Sequence, residues 1–237
     1  MIPLVCYSNS DYLDVLTVQN AFLQSFNGPM VLLTNQVPKI PLRFDTVILY
    51  DNTLNYSKRV LQGLLQLDSE FILFYHDIDI LLRYSPNEIM ELVECMQKSG
   101  IDRIDLQYST LKEEDSIQWK DMYLTRSDSY VYNVNPSIWR RSVLVDIMTQ
   151  FDKSYRAIED TETQLYCQRF NIFKMWSQTK VHTGYFHTTP LFVFLHLTHG
   201  GKLPPQDSNT MEKWIETIYR GILTSFTLQR EMRKTLH

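Results

Sequence analysis

Residues 71–75, Phe-Ile-Leu-Phe-Tyr, are five consecutive large apolar side chains, and they run straight into His76, Asp77 and Asp79. Successive side chains of a strand point to opposite faces, so a strand apolar at every position needs cover on both sides. That requirement excludes an open sheet with one wet face. It also raises a question of function, because the most apolar strand of the chain ends in a pair of carboxylates. Either the chain is simply leaving the core there, or the strand exists to hold those acids at the mouth of a site.

The sequence around this strand supplies the cover. "IPLVCYS" is a short apolar strand, and "DYLDVLTVQNAFLQSF" places Tyr12, Leu16, Phe22, Leu23 and Phe26 at helical spacing. "MVLLTN" and "TVILYD" are two further buried runs, separated by the proline-bearing loop "QVPKIPLRF". "YSKRVLQGLLQLD" reads as a helix feeding the strand at 71–75. Strands alternating with helices predict an α/β domain with a mostly parallel central sheet flanked by helices.

Beyond the carboxylates, Ser85, Pro86 and Glu88 match a helix N-cap, a first-turn proline and a capping-box acid, with Gly100 as the stop. "RIDLQYS" predicts a strand and "EEDSIQWKDMYLTRSDS" a loop or hairpin. "NPSIWRRSVLVDIMTQF" and "EDTETQLYCQRF" each predict a helix, and "FKMWSQ" and "LFVFLHLT" late strands. Residues 1–203 read as one domain. Residues 204–237 read as a helical tail with Met211, Trp214, Ile215, Ile218, Tyr219, Ile222, Leu223 and Phe226 on one face. That stripe is expected to pack on the domain, giving a monomer; a dimer comes second and a membrane surface third.

Composition narrows the partners. A net charge of −4 and a pI of about 5.9 argue against a general nucleic-acid binder, which carries a basic face. Three cysteines without short spacing give neither a zinc knuckle nor a disulfide framework, so reduced thiols are expected. "MIPLVCYSNS" reads as a first strand rather than a leader, and no run approaches the ~20 apolar residues of a membrane span. A cytoplasmic protein without a transmembrane segment is the expectation.

In open α/β sheets, ligands bind outside the carboxyl ends of the strands, where Asp77 and Asp79 fall. Alternation puts residues 77 and 79 on the same side of an extended chain. Two carboxylates so placed suit a hard divalent cation with water and phosphate oxygens completing its shell. The pattern D-x-D is weak by itself, since 16 aspartates produce roughly one match by chance. Its setting, a buried strand followed by an abrupt change to acids, is rarer. Glu159 and Asp160 open a helix, where acids favour the helix dipole, but they also suit a base aimed into a cleft. His182, His187, His196 and His199 cluster late in the chain, and neutral imidazole is a common metal ligand. Tyr7, Ser8 and Asn9 follow the first strand and have ordinary turn chemistry as their alternative. Trp119 and Trp139 could stack on a sugar, yet packing in the core is the expectation.

Together these segments resemble glycosyltransferases of the GT-A fold. The resemblance spans residues 2 to about 203 and lies in the order of the segments. "CYSNSDYLDV" resembles the first strand and loop that lie against the nucleotide, implying donor contacts for Tyr7, Ser8 and Asn9. "YSKRVLQGLL" resembles the helix whose basic residue reaches the donor, implying Tyr56 and Arg59. "VNPSIWRRSVLVDIM" resembles the segment lining the acceptor side, and "IEDTETQLY" the acidic helix start that supplies a base. The resemblance puts Asp160 ahead of Glu159. "FLHLTHGGKL" resembles the late loop whose histidine completes the metal site, with His199 first and His196 as fallback. It implies a nucleotide-diphosphate sugar donor, with a UDP-sugar favoured, a glycan or other hydroxyl acceptor, and Mn²⁺ or Mg²⁺ held by Asp77, Asp79 and one histidine. A nucleotidyltransferase is the rival enzyme class, although "YSNSDYLD" lacks the Gly-rich basic loop it needs. A non-catalytic module binding nucleotide sugar or carbohydrate is the third reading.

Overall fold

The computed structural model describes residues 1–108, 116–127, 130–177, 182–183, 186–188 and 192–196. Its main sheet has nine strands. They are β1 (Leu4–Tyr7), β2 (Met30–Thr34), β3 (Thr46–Leu49), β4 (Phe71–His76), β6 (Arg103–Tyr108), β7 (Ser116–Trp119), β8 (Met122–Arg126), β9 (Ser137–Arg140) and β10 (Ile172–Ser177). Their order is β3-β2-β1-β4-β9-β6-β10-β8-β7. The pairs β2–β3, β1–β2, β1–β4 and β6–β10 are parallel, and β9 and β8 run against their neighbours. A second, antiparallel sheet joins β5 (Asp79–Tyr84) to β13 (Phe192–His196), β12 (Phe186–Thr188) and β11 (His182–Thr183).

Alternation explains the unbroken apolar strand. Leu73 and Tyr75 of β4, with Leu4, Cys6, Met30 and Leu32 of its neighbours, face one core. Helices α1 (Leu13–Phe22) and α3 (Pro86–Ser99) close that core with Leu16, Ile89, Leu92, Val93 and Met96. Ile72 and Phe74, with Val5, Tyr7, Val31 and Leu33, face the other core, which Val60 and Leu64 of α2 (Tyr56–Leu64) and Leu144, Ile147 and Met148 of α4 (Arg141–Gln150) cover. One strand therefore serves two cores, and neither face reaches water. Each aliphatic side chain so buried contributes about 1.5–3 kcal/mol.

This mixed, mostly parallel sheet flanked by helices is the α/β, GT-A-like architecture that the sequence implies. The hairpin over 116–126 is present, turning at Lys120 in the left-handed region (φ 53°). Trp139 and Trp119 are core residues. All three cysteines are free thiols. Four strands depart from the expectation: β11 and β12 lie where none was read, and two more lie within segments read otherwise. β5 stands between the carboxylates and α3, and β9 precedes α4 within "NPSIWRR". At α3, Pro86 and the left-handed Gly100 (φ 65°) hold the expected places, but Ser85 caps through its backbone without a side-chain bond. Among the described residues no helix is long and apolar enough to cross a membrane. The tail at 204–237 and His199 lie outside the described residues.

Candidate active site

Parallel pairing sets the site's register: Tyr7 lies opposite His76 where β1 and β4 end together. The Asp77 N–H then donates to the Tyr7 carbonyl at 3.0 Å, the chain turns over residues 77–78, and β5 begins at Asp79. Both carboxylates lie where the two sheets meet, and both are buried, Asp77 at 5% and Asp79 at 4% exposure. Asp79 is thus the first residue of a new strand rather than the end of the old one. Its carbonyl accepts from Gln19 Nε2 at 3.1 Å, and the buried Gln19 is itself bonded by the Cys6 thiol. Across the β5–β13 ladder, His196 is the register partner of Asp79.

Asp77 accepts the Ser8 hydroxyl at 2.6 Å. Burial pushes its carboxyl up to about 7; the Ser8 hydroxyl and the Asn9 and Ile78 amides oppose the shift, and the charge of Asp79 adds to it. A buried carboxylate beside a second acid fits a hard divalent cation. Among the described residues, no group of three or more acid, histidine or cysteine side chains is gathered into a metal cluster.

The sequence-derived donor residues separate into a wall and a rim. Tyr7 and Tyr56 are buried, with Tyr7 stacked on Tyr50 (centroids 5.3 Å apart) and edge-on to Tyr56 (5.2 Å). The Tyr56 hydroxyl is hydrogen-bonded to His76 Nε2 at 2.8 Å, while His76 Nδ1 donates to the Val134 carbonyl at 2.9 Å. A carbonyl can only accept, so Nδ1 carries a proton. Asn9, partly exposed, accepts the Asp11 amide. Arg59 folds over the Tyr50 ring at 5.5 Å and donates to the Leu54 and Asn52 carbonyls, so it braces the 51–55 loop at the rim.

The two acids before α5 (Thr161–Cys167) face different ways. Asp160 is the N-cap: its carboxylate accepts the Thr163 amide at 3.0 Å and pairs with Lys153 Nζ at 2.7 Å. The Lys153 bond, foremost, holds its carboxyl below the usual range. Glu159 instead accepts the Val134 amide at 2.7 Å and the Tyr130 hydroxyl. Tyr155 packs beside these residues. The ring stands edge-on to His76 (5.2 Å) and Tyr56 (5.3 Å). Burial, then the charges of Asp79, Glu159 and Asp77, hold its hydroxyl protonated far above the ordinary phenol range. Val134, which donates its N–H to Glu159, also accepts His76 Nδ1 on its carbonyl, so Glu159 is joined through one residue to the histidine preceding Asp77, while Asp160 is occupied at the helix end. Tyr155, Val134, Tyr130 and His76 escaped the sequence-level reading. His76 alone had a signal there, as the polar residue closing the apolar strand.

The class this geometry defines is a GT-A-like α/β fold with a buried carboxylate pair where β4 gives way to β5. No family model matches the chain, and no curated protein does. Among solved structures, residues 1–349 of TarS from S. aureus in complex with UDP-GlcNAc match with a TM-score of 0.47 at 13% identity, over 95% of this chain and 66% of that one. UDP-glucose pyrophosphorylase matches at 0.45 and 10% identity, over 74% and 90%. The bifunctional IspDF of Campylobacter jejuni matches at 0.42 and 16%, over 75% and 50%. This chain thus spans half of the Campylobacter protein, and 60% of another structure of TarS 1–349. At these identities and scores the likenesses carry no argument about chemistry.

Proposed function

We propose that the protein is a metal-dependent glycosyltransferase moving a sugar from a nucleotide-diphosphate donor, a UDP-sugar by preference, to an acceptor hydroxyl. The observation that carries this reading is the buried pair Asp77 and Asp79 at the turn from β4 into β5, with Glu159 joined through Val134 to the neighbouring His76. Asp77, Asp79 and His196 or His199 would hold Mn²⁺ or Mg²⁺, which supplies electrostatic stabilisation of a departing diphosphate. Glu159 takes the proton from the acceptor hydroxyl, and Asp160 orients the helix behind it. Asn9 and Arg59 meet the donor at the rim. Ser8, Tyr7 and Tyr56 support the wall and keep Asp77 and His76 in place.

The test is release of UDP by the full chain from UDP-glucose, UDP-galactose and UDP-N-acetylglucosamine with Mn²⁺ or Mg²⁺, with and without glycan acceptors. UDP release that requires the metal supports transfer. Formation of UTP from UDP-sugar and pyrophosphate would establish the nucleotidyltransferase instead. Donor binding with no turnover in any arm would leave a binding module.

A further inference from the structure

Residues 131–136 form an irregular loop leading into β9, and a buried guanidinium holds them from behind. Arg103 of β6 is fully buried. Its Nη1 donates to the Val131 carbonyl at 2.9 Å, and Nη2 donates to the Asn133 carbonyl at 3.1 Å and to Asn133 Oδ1. Nε and Nη2 both reach Ser137 Oγ, at 3.0 and 2.7 Å. Asp105, equally buried, lies 3.7 Å from Nη2 and accepts Asn133 Nδ2 at 2.5 Å. The Trp139 ring covers the guanidinium at 4.6 Å. Apolar residues of similar volume commonly stabilise a core as well as a buried ion pair does, so stability alone is a weak account of this network. A planar fork bonded to Val131 and Asn133 of the loop and to Ser137, where β9 begins, does something else: it fixes the loop's geometry.

The opposite side of that loop faces the candidate site. Val134 donates its N–H to Glu159 and accepts His76 Nδ1 on its carbonyl, so one residue meets both the candidate base and the histidine preceding Asp77. Gln164 clamps the adjoining Tyr132 on both its N–H (2.9 Å) and its carbonyl (2.7 Å). We propose that Arg103 is a positioning residue: by fixing the 131–137 loop it sets Val134, and through Val134 the Glu159 carboxylate and the His76 ring. The inference rests on the reading of Glu159 as the base.

The experiment compares wild type, R103M, R103K, E159Q and R103M/E159Q, with UDP release from the UDP-sugar turned over fastest and the Val134 amide resonance as readouts. R103K keeps the charge near Asp105 but cannot fork to Val131, Asn133 and Ser137 together, and it carries the test if R103M does not fold. The expected result is a fall in kcat of about 10²-fold in R103M, as a misplacement of about 1 Å produces, with donor KM held and a smaller fall of the same kind in R103K. The R103M/E159Q double variant is expected to lose little more than E159Q alone, because residues acting as a unit are non-additive. Additive losses, or full kcat in the arginine variants while E159Q is impaired, overturn the proposal. Should E159Q keep full turnover, the base assignment fails by itself. The amide then decides: a Val134 resonance that moves in E159Q but stays at its wild-type position in R103M and R103K overturns the positioning role, and one that moves in all three upholds it.

Discussion

At the scale of single residues, the distinction between Asp79, Glu159 and Asp160 is one of environment. Asp79→Ala removes a buried acid at a sheet junction. It is expected to abolish metal-dependent donor turnover by on the order of 10²-fold or more, as losing an electrostatic stabiliser does. Near wild-type turnover would remove the metal assignment altogether. Glu159→Gln keeps the shape and loses the basicity, so kcat should fall roughly 10²–10⁴-fold with little change in donor affinity. Asp160→Asn should leave kcat within a few-fold, because asparagine is nearly as good an N-cap and only the exposed Lys153 pair is lost. The reverse pattern in steady-state kinetics would return the base to Asp160. Sequence alone could not separate neighbours that share a helix start. The separation comes from Val134 and Tyr130, which are distant in sequence, and from Lys153, which claims Asp160.

At the scale of elements, what was legible followed the two hydrophobic periods. The strands β1, β2, β3, β4, β6 and β10 and the helices α1 to α5 fall in the segments whose pattern announced them. β5 was not legible, because its partner β13 lies more than a hundred residues away and its first residue is an acid that reads as a strand end. β9 was hidden because "SIWRR" runs without a break into α4, and its pairing with β4 and β6 is long-range. One helix contact carries a test. A Cβ at Gly63 of α2 would sit 2.6 Å from both Leu33 methyls, and Leu33 is fully buried in β2. Gly63→Ala should therefore lower stability by up to about 2 kcal/mol. The ~1 kcal/mol that alanine gains in helix propensity is outweighed by overpacking that costs about 1–3 kcal/mol. Thermal unfolding reads this directly, and a raised melting temperature would mean that α2 does not approach β2 so closely.

At the scale of the whole molecule, the buried aspartate links folding stability to pH and to metal. Asp77 has an ordinary carboxyl value of 3.8 when unfolded and about 7 when folded, chiefly because of burial. Below about pH 4 it is protonated in both states and costs nothing. As pH rises from 3.8 towards 7, the unfolded chain sheds the proton while the folded chain keeps it, so this group's contribution to stability falls and then levels off above 7. Asp77→Asn removes that slope. In the presence of a chelator, the variant should gain on wild type steadily between pH 4 and 7 and hold the gain at pH 8. A cation bound at the aspartates reverses the sign for wild type, since it favours the ionised carboxylate and binds only the folded chain. Mn²⁺ at pH 8 should then raise the melting temperature of wild type and much less that of Asp77→Asn, and the rise should fade as pH drops below 7. A difference between the two proteins that stays constant from pH 4 to 8 would show that Asp77 is not the raised carboxyl. A Mn²⁺ shift equal in both would place the cation elsewhere in the molecule.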